Sequence, residues 1–103
     1  MGVKKYVGVY EGDHWPRVYI VEENGRWIPL DKGWPVHEWG FRGPGPQQLA
    51  RDLVIDIGLK DEEFDAVLDI VSRLQSGFGW ELTEQQIKEL VQIWHAIRSR
   101  SNT

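Results

Sequence analysis

The chain has no cysteine and a single methionine among its 103 residues. This leaves no disulfide framework, no thiolate nucleophile and no cysteine-based zinc site, and it suits a reducing compartment. There is no basic excess either. Twelve Lys and Arg face 16 Asp and Glu, a formal net charge of −4, whereas nonspecific nucleic-acid binders carry a strongly basic face. No run of about 18 apolar residues occurs, so no membrane partner is expected. The opening MGVKKYVGVY is too short and too polar for a signal peptide, and a soluble, cytoplasmic protein is the expectation. Neither the P-loop nor the G-x-G-x-x-G pattern is present, and no cofactor is implied. About 100 residues make one domain, whose single core must do everything.

What the chain does have is tryptophan: six of its 12 aromatic residues. Its two halves also differ. Residues 1–52 hold seven basic and seven acidic side chains, residues 53–103 five and nine, and all five prolines lie before residue 47. Strands and loops are therefore expected first and helices second, an α+β fold with a small antiparallel meander of about three strands followed by three helices packed on one face. Val3, Lys5, Val7 and Val9 alternate with Lys4, Tyr6, Gly8 and Tyr10, the period of a half-buried strand. Arg17 to Val21 and Arg26 to Leu30 flank Asn24-Gly25, which predicts a hairpin closed by a type I′ turn, with Pro29 placing its strand at an edge.

The meander is assigned to 1–32, a Gly/Pro/Trp loop to 33–45, the helices to 46–98 and a frayed tail to 99–103. Leu49, Ala50, Leu53, Val54 and Ile57 mark the first helix, with Gly45 as N-cap, Pro46 as first helical residue and Gly58 as its end. Asp61 is expected to cap the second, which carries Phe64, Val67, Leu68, Val71 and Leu74 and stops at Ser76-Gly77. Thr83 and Gln86 form a capping box for the third, whose stripe is Ile87, Leu90, Val91, Trp94 and Ile97. Trp27 and Trp94 are expected in the core. Trp15 and Trp80 fit equally as packed lids or exposed anchors.

The segment most suited to chemistry is 33–50. A glycine-rich loop entering a helix is a natural anion site, because free N–H groups and the helix dipole point at the same place. Pro44 and Pro46 supply no N–H, which leaves Gly43, Gly45, Gln47 and Gln48 as donors. Arg42 could pair with a phosphate or carboxylate, and Trp34, Trp39 or Phe41 could stack on a planar ring. Trp34, His37, Trp39, Phe41, Arg42, Gly43, Gly45, Gln47 and Gln48 are thus the candidate ligand-binding residues. The same Gly-Pro-Gly-Pro is equally what a tight helix entry needs, with Trp39 and Phe41 seating the helix on the sheet. His37 and Glu38 are sequence neighbours and face opposite ways in extended chain, which is poor geometry for an acid/base pair. His14, His37 and His95 lack metal-ligand spacing. Asp52 with Asp56, and Asp61, Asp65 and Asp69, share helix faces and are expected as solvated acidic faces, the second suited to docking on a basic partner.

Glu38-Trp39-Gly40-Phe41-Arg42-Gly43-Pro44-Gly45-Pro46-Gln47-Gln48-Leu49-Ala50 resembles the E-W-G-[YF]-x-G-x-G-P-x-Q-L-A signature of an uncharacterised family of small bacterial, plasmid and phage domains. Val7 to Tyr10 and Gly79 to Thr83 are more weakly similar to it. Arg42 and Pro44 stand where the family has small residues, and His37 where it has an aromatic one. The resemblance implies a phage or mobile-element context rather than a reaction. On that footing the expected function is a nonenzymatic module binding a small anionic, nucleotide-like ligand at the loop, as a sponge for an immune signal. The alternative is a protein inhibitor of a host defence protein, acting through its acidic helices and exposed Trp residues, and a small hydrolase using His37 or the helical carboxylates is the third reading. An exposed hairpin edge would also allow a homodimer.

Overall fold

The computed structural model describes residues 2–12, 15–33 and 36–101. Its order is β1 (Lys5–Glu11), β2 (Trp15–Val21), β3 (Trp27–Pro29), α1 (Pro44–Ile57), α2 (Phe64–Ser72, preceded by the 3-10 turn Asp61–Glu63), β4 (Trp80–Thr83) and α3 (Glu84–Ser101). The sheet is antiparallel with order β3-β2-β1-β4, and the fold is α+β. It has four strands where three were expected. β4 escapes a reading by periodicity because it is only Trp-Glu-Leu-Thr, and its pairing with β1 joins Tyr6 to Leu82 and Gly8 to Trp80 across more than 70 residues of chain.

The alternation in β1 sorts the sheet into two faces. Tyr6, Gly8 and Tyr10 stand opposite Ile20, Val18 and Pro16, and with Leu82 and Trp80 they face the helices. Tyr6, Val18 and Ile20 join Leu30, Trp39, Leu49, Leu53, Val67, Val71 and Ile87 in one core. Trp80 lies so close over Gly8 that any Cβ there would collide with its indole, so the small residue in mid-strand is what lets β4 lay its ring on β1.

Several local expectations are corrected. The β2–β3 connection is a three-residue loop in which Gly25 N–H donates to Glu22 O (2.8 Å) and Gly25 takes φ +88°, so Glu23-Asn24 rather than Asn24-Gly25 forms the turn centre. Asn24 Oδ1 accepts from Arg26 N–H (2.9 Å), which stabilises this longer form. Helix α1 begins two residues earlier than expected, at Pro44 with Gly43 as N-cap, because proline suits the first turn at either position. Asp61 opens a 3-10 turn and makes no side-chain cap, and α2 ends at Ser72, before Leu74. Helix α3 continues to Ser101, beyond the expected end at 98. Its capping box is present: Gln86 N–H donates to Thr83 Oγ1 (3.0 Å) and Thr83 N–H to Gln86 Oε1 (2.8 Å).

Candidate functional site

The loop 36–43 enters α1 along the core. His37 is fully buried, and its Nε2 meets Asp52 Oδ2 at 2.6 Å, while Gln48 Nε2 donates to Asp52 Oδ1 (2.9 Å). The three side chains tie the loop to the third turn of α1. Asp52 is therefore no solvated acid: it lies three residues after Leu49 on the margin of the apolar stripe, and the incoming loop covers it. His37 Nδ1 is buried without a hydrogen-bond partner among the described residues, a polar group whose burial costs stability.

Trp39 is likewise buried. Its Nε1 donates to Phe78 O (2.9 Å), and its ring packs edge-on against Tyr10 and Trp80 at centroid distances of 5.2 and 5.8 Å. Gly40 follows with φ +88°, and its N–H donates to Val71 O (2.9 Å). A Cβ on Gly40 would lie 2.6 Å from Ser76 N and 2.7 Å from Leu74 O, so this glycine is required both by its backbone angle and by the close approach of the α2–β4 connection. The Trp-Gly of the motif thus pins the loop to the far end of α2.

The remaining candidate residues surround the start of α1. Arg42 donates to Asp69 Oδ1 (2.9 Å), and Arg73 shares the same carboxylate through Oδ2 (3.0 Å). Phe41 is exposed and rests on Gly43, and Gln47 is exposed with its N–H donating to Gly43 O (3.0 Å). The carboxylate of Glu38 lies against Gly45, so a carboxylate of the chain itself stands at the positive end of the α1 dipole. Trp34 and His14 lie outside the described residues. The structure therefore gathers His37 with Gln48, and Arg42 with Asp69, but separates buried Trp39 and His37 from exposed Phe41, Arg42 and Gln47.

Of the helical carboxylates, Asp61 and Asp65 are exposed, whereas Asp69 is spent on Arg42 and Arg73. Asp56 is largely enclosed: Tyr6 Oη donates to it at 2.6 Å, and Lys4 and Lys32 reach it at 3.0 and 3.3 Å. Burial alone would raise its pKa, but the hydrogen bonds from Tyr6, Lys4 and Lys32 outweigh burial and hold it below the ordinary aspartate value. Burial, and then Asp56, push the Tyr6 phenol far above its usual range. Among the described residues no group of three or more His, Asp or Glu is placed to hold a metal ion, and no helix is long and apolar enough to cross a membrane.

Comparisons with protein-family models, curated proteins and solved structures return no match.

Two surfaces stand out in the structure, and neither was foreseen as a unit. On the sheet face turned away from the helices, Val7 and Val21 are buried and Val9 and Tyr19 half-buried, and this apolar strip is flanked by Trp27 and Trp15, which are 53% and 59% exposed. Trp27 leans on Tyr19 at 5.7 Å instead of entering the core, because pairing with Val21 places it on the outer face. Lys5 with Glu81 and Arg17 with Glu11 form ion pairs there. The cue was available in the alternation, since both faces of β1 and β2 carry apolar residues, but the periodicity does not say which face the helices cover. The second surface is the outer side of α3, where Leu90, Ile93 and Ile97 are exposed beside half-buried Trp94.

Proposed function

We propose that this protein is a protein-binding module whose contact surface is the outer face of its sheet, with Trp15, Tyr19 and Trp27 as anchors. One observation carries the reading: two tryptophans more than half exposed on an apolar strand face that no helix covers among the described residues. An antiparallel sheet facing water normally alternates to a polar outer side, whereas here apolar side chains occupy that side and two indoles stand open to solvent on it. Trp, Tyr and Arg are also the side chains that dominate protein contacts. Arg17 and Lys5 are each neutralised by a neighbouring glutamate, so the face suits an apolar partner surface without strong charge of either sign.

The loop supports the anionic-ligand reading less well. Its imidazole and its indole N–H are engaged inside the fold, its arginine is paired with Asp69, and Glu38 would repel an anion at the start of α1. A hydrolase reading through His37 or the helical carboxylates has the same difficulty, since His37 and Asp52 are sealed from solvent and Asp69 is paired with Arg42 and Arg73. A host defence protein is the partner class that fits the phage context implied by the motif.

The test is affinity capture from host lysate with wild type, Trp27→Ala and Trp15→Ala, followed by titration of the recovered partner. The reading expects one stoichiometric partner whose affinity falls by roughly thirtyfold or more on removing an anchor tryptophan. A partner captured equally by both variants overturns it. A rise in melting temperature with cyclic or ADP-ribose-type nucleotides, abolished by Arg42→Ala, would restore the loop as the site.

A further inference from the structure

The aromatic side chains of the outer sheet face do not form a flat platform. Tyr19 on β2 and Trp27 on β3 lie diagonally across the strand pair, since Tyr19 stands opposite Pro29 and Trp27 opposite Val21. Their ring centroids are 5.7 Å apart and their planes are inclined at 56°, so the two rings enclose an angular notch. A nucleobase or a sugar ring gains most by lying flat on one ring face, whereas a notch between inclined rings suits a compact, puckered apolar ring. The polar groups of this face have one sense. Glu11 accepts from Tyr19 Oη and pairs with Arg17, Glu81 pairs with Lys5, and Thr83 Oγ1 accepts from Gln86 N–H, so each of these oxygens already has a partner. The indole N–H groups of Trp15 and Trp27 have none among the described residues. The face thus offers donors, and its charges are cancelled in pairs. Beside the notch, the edge strand β3 is three residues long and ends in Pro29, which has no N–H to give an added strand.

We propose that the Tyr19–Trp27 notch binds a proline-rich segment of the partner in the polyproline II conformation, an assignment that rests on the sheet-face reading and names the chemistry it takes. Such a segment matches the face in three ways. Its pyrrolidine rings are compact, apolar and puckered, and they dock between aromatic side chains. Its prolines carry no N–H and its carbonyls make no internal hydrogen bonds, so it brings acceptors without donors to a face with the opposite need. It is uncharged and already extended before binding, so little ordering entropy opposes a shallow contact. The competing occupants fit less well. An added β-strand would bring N–H and C=O in equal number and would need the edge that Pro29 interrupts. Nucleic acid would meet Glu11 and Glu81 while Arg17 and Lys5 are already paired with them. Trp15 lies four residues from Tyr19 on the same face of β2, ~13 Å away, so it is left for the rest of the partner's surface.

Nuclear magnetic resonance of the nitrogen-labelled full chain, titrated with decaproline and with an array of Pro-x-x-Pro decapeptides, tests the assignment. Of the indole N–H resonances of the six tryptophans, the one that disappears in Trp27→Ala should shift saturably, and a Gly-Ser peptide of equal length should shift none. Trp27→Ala and Tyr19→Ala should each weaken peptide binding by roughly tenfold or more while the circular dichroism is unchanged. Tyr19→Phe keeps the ring, and Trp15→Ala removes a side chain beyond the notch, so both should stay within about twofold of wild type. No shift with any proline peptide overturns the proposal, whether or not cellohexaose or oligo(dT) moves the same resonance by stacking flat. A response that survives both Trp27→Ala and Tyr19→Ala also overturns it. The sheet-face reading is judged separately by capture of a protein partner. Capture that depends on Trp27 and Trp15 persists if only the choice of ligand is wrong, and is absent if the face is not a contact surface.

Discussion

His37 Nε2 and Asp52 Oδ2 lie 2.6 Å apart with both side chains sealed from solvent, and this bond joins the central loop to helix α1. Buried polar partners depend on each other, since deleting one strands the other in a medium that cannot solvate it. His37→Phe and Asp52→Leu should each lower the unfolding free energy by about 1–3 kcal/mol or more. The double variant should cost less than the sum of the singles, because it leaves neither partner stranded. Urea titrations of the four proteins measure the coupling, and strict additivity would show that the pair does not act as a unit.

Gly40 and Gly25 share a φ of +88° but differ in surroundings. Gly25 has open space where a Cβ would go, so Gly25→Ala carries only the backbone strain, about 1–2 kcal/mol. Gly40→Ala adds a collision with the backbone of Leu74 and Ser76, which cannot swing aside as a flexible side chain could. Its cost should exceed that of Gly25→Ala, with loss of the protected Trp39 fluorescence before global unfolding. Equal melting temperatures for the two variants would refute the tight fit.

Acid should destabilise the protein through Asp56. Its folded-state pKa lies below the ordinary 3.8, so the folded state holds the proton less tightly than the unfolded chain does. The resulting stabilisation is complete above that ordinary value and is lost as pH falls through the lower folded value. Stability profiles from neutral pH downward should show this decline, and Asp56→Asn should flatten it. An identical acid slope in the variant would move the effect to other carboxylates.

The reciprocal bonds of Thr83 and Gln86 hold the junction between β4 and α3. Thr83→Ala removes the side-chain acceptor for Gln86 N–H and should cost about 1 kcal/mol, visible as a lower urea midpoint with an unchanged slope. Thr83→Ser keeps the oxygen and should restore most of the loss. A Ser variant as weak as the Ala variant would mean that the methyl group, not the cap, matters.

Much of the helical half was legible before the structure. Leu49, Leu53, Val54, Val67 and Val71 repeat at helical spacing, and a local signal such as Thr83 with Gln86 needs no tertiary information. Hairpin and edge followed likewise from Asn24-Gly25 and Pro29, although the loop proved one residue longer. β4 was hidden because four residues carry too little periodicity, and its partner is distant in the chain.

The sequence by itself determined the elements whose causes are local: strand alternation, helix stripes, caps, and the glycine-rich entry into α1. Only the tertiary structure decided which copies of similar chemistry were spent inside. Trp39 and His37 became architecture, Trp27 came to the surface, and Asp52 was buried while Asp61 and Asp65 stayed wet. The reason is geometric. Periodicity places side chains on a face of an element, but burial depends on which face another element covers, and that is settled by contacts between residues far apart in the chain.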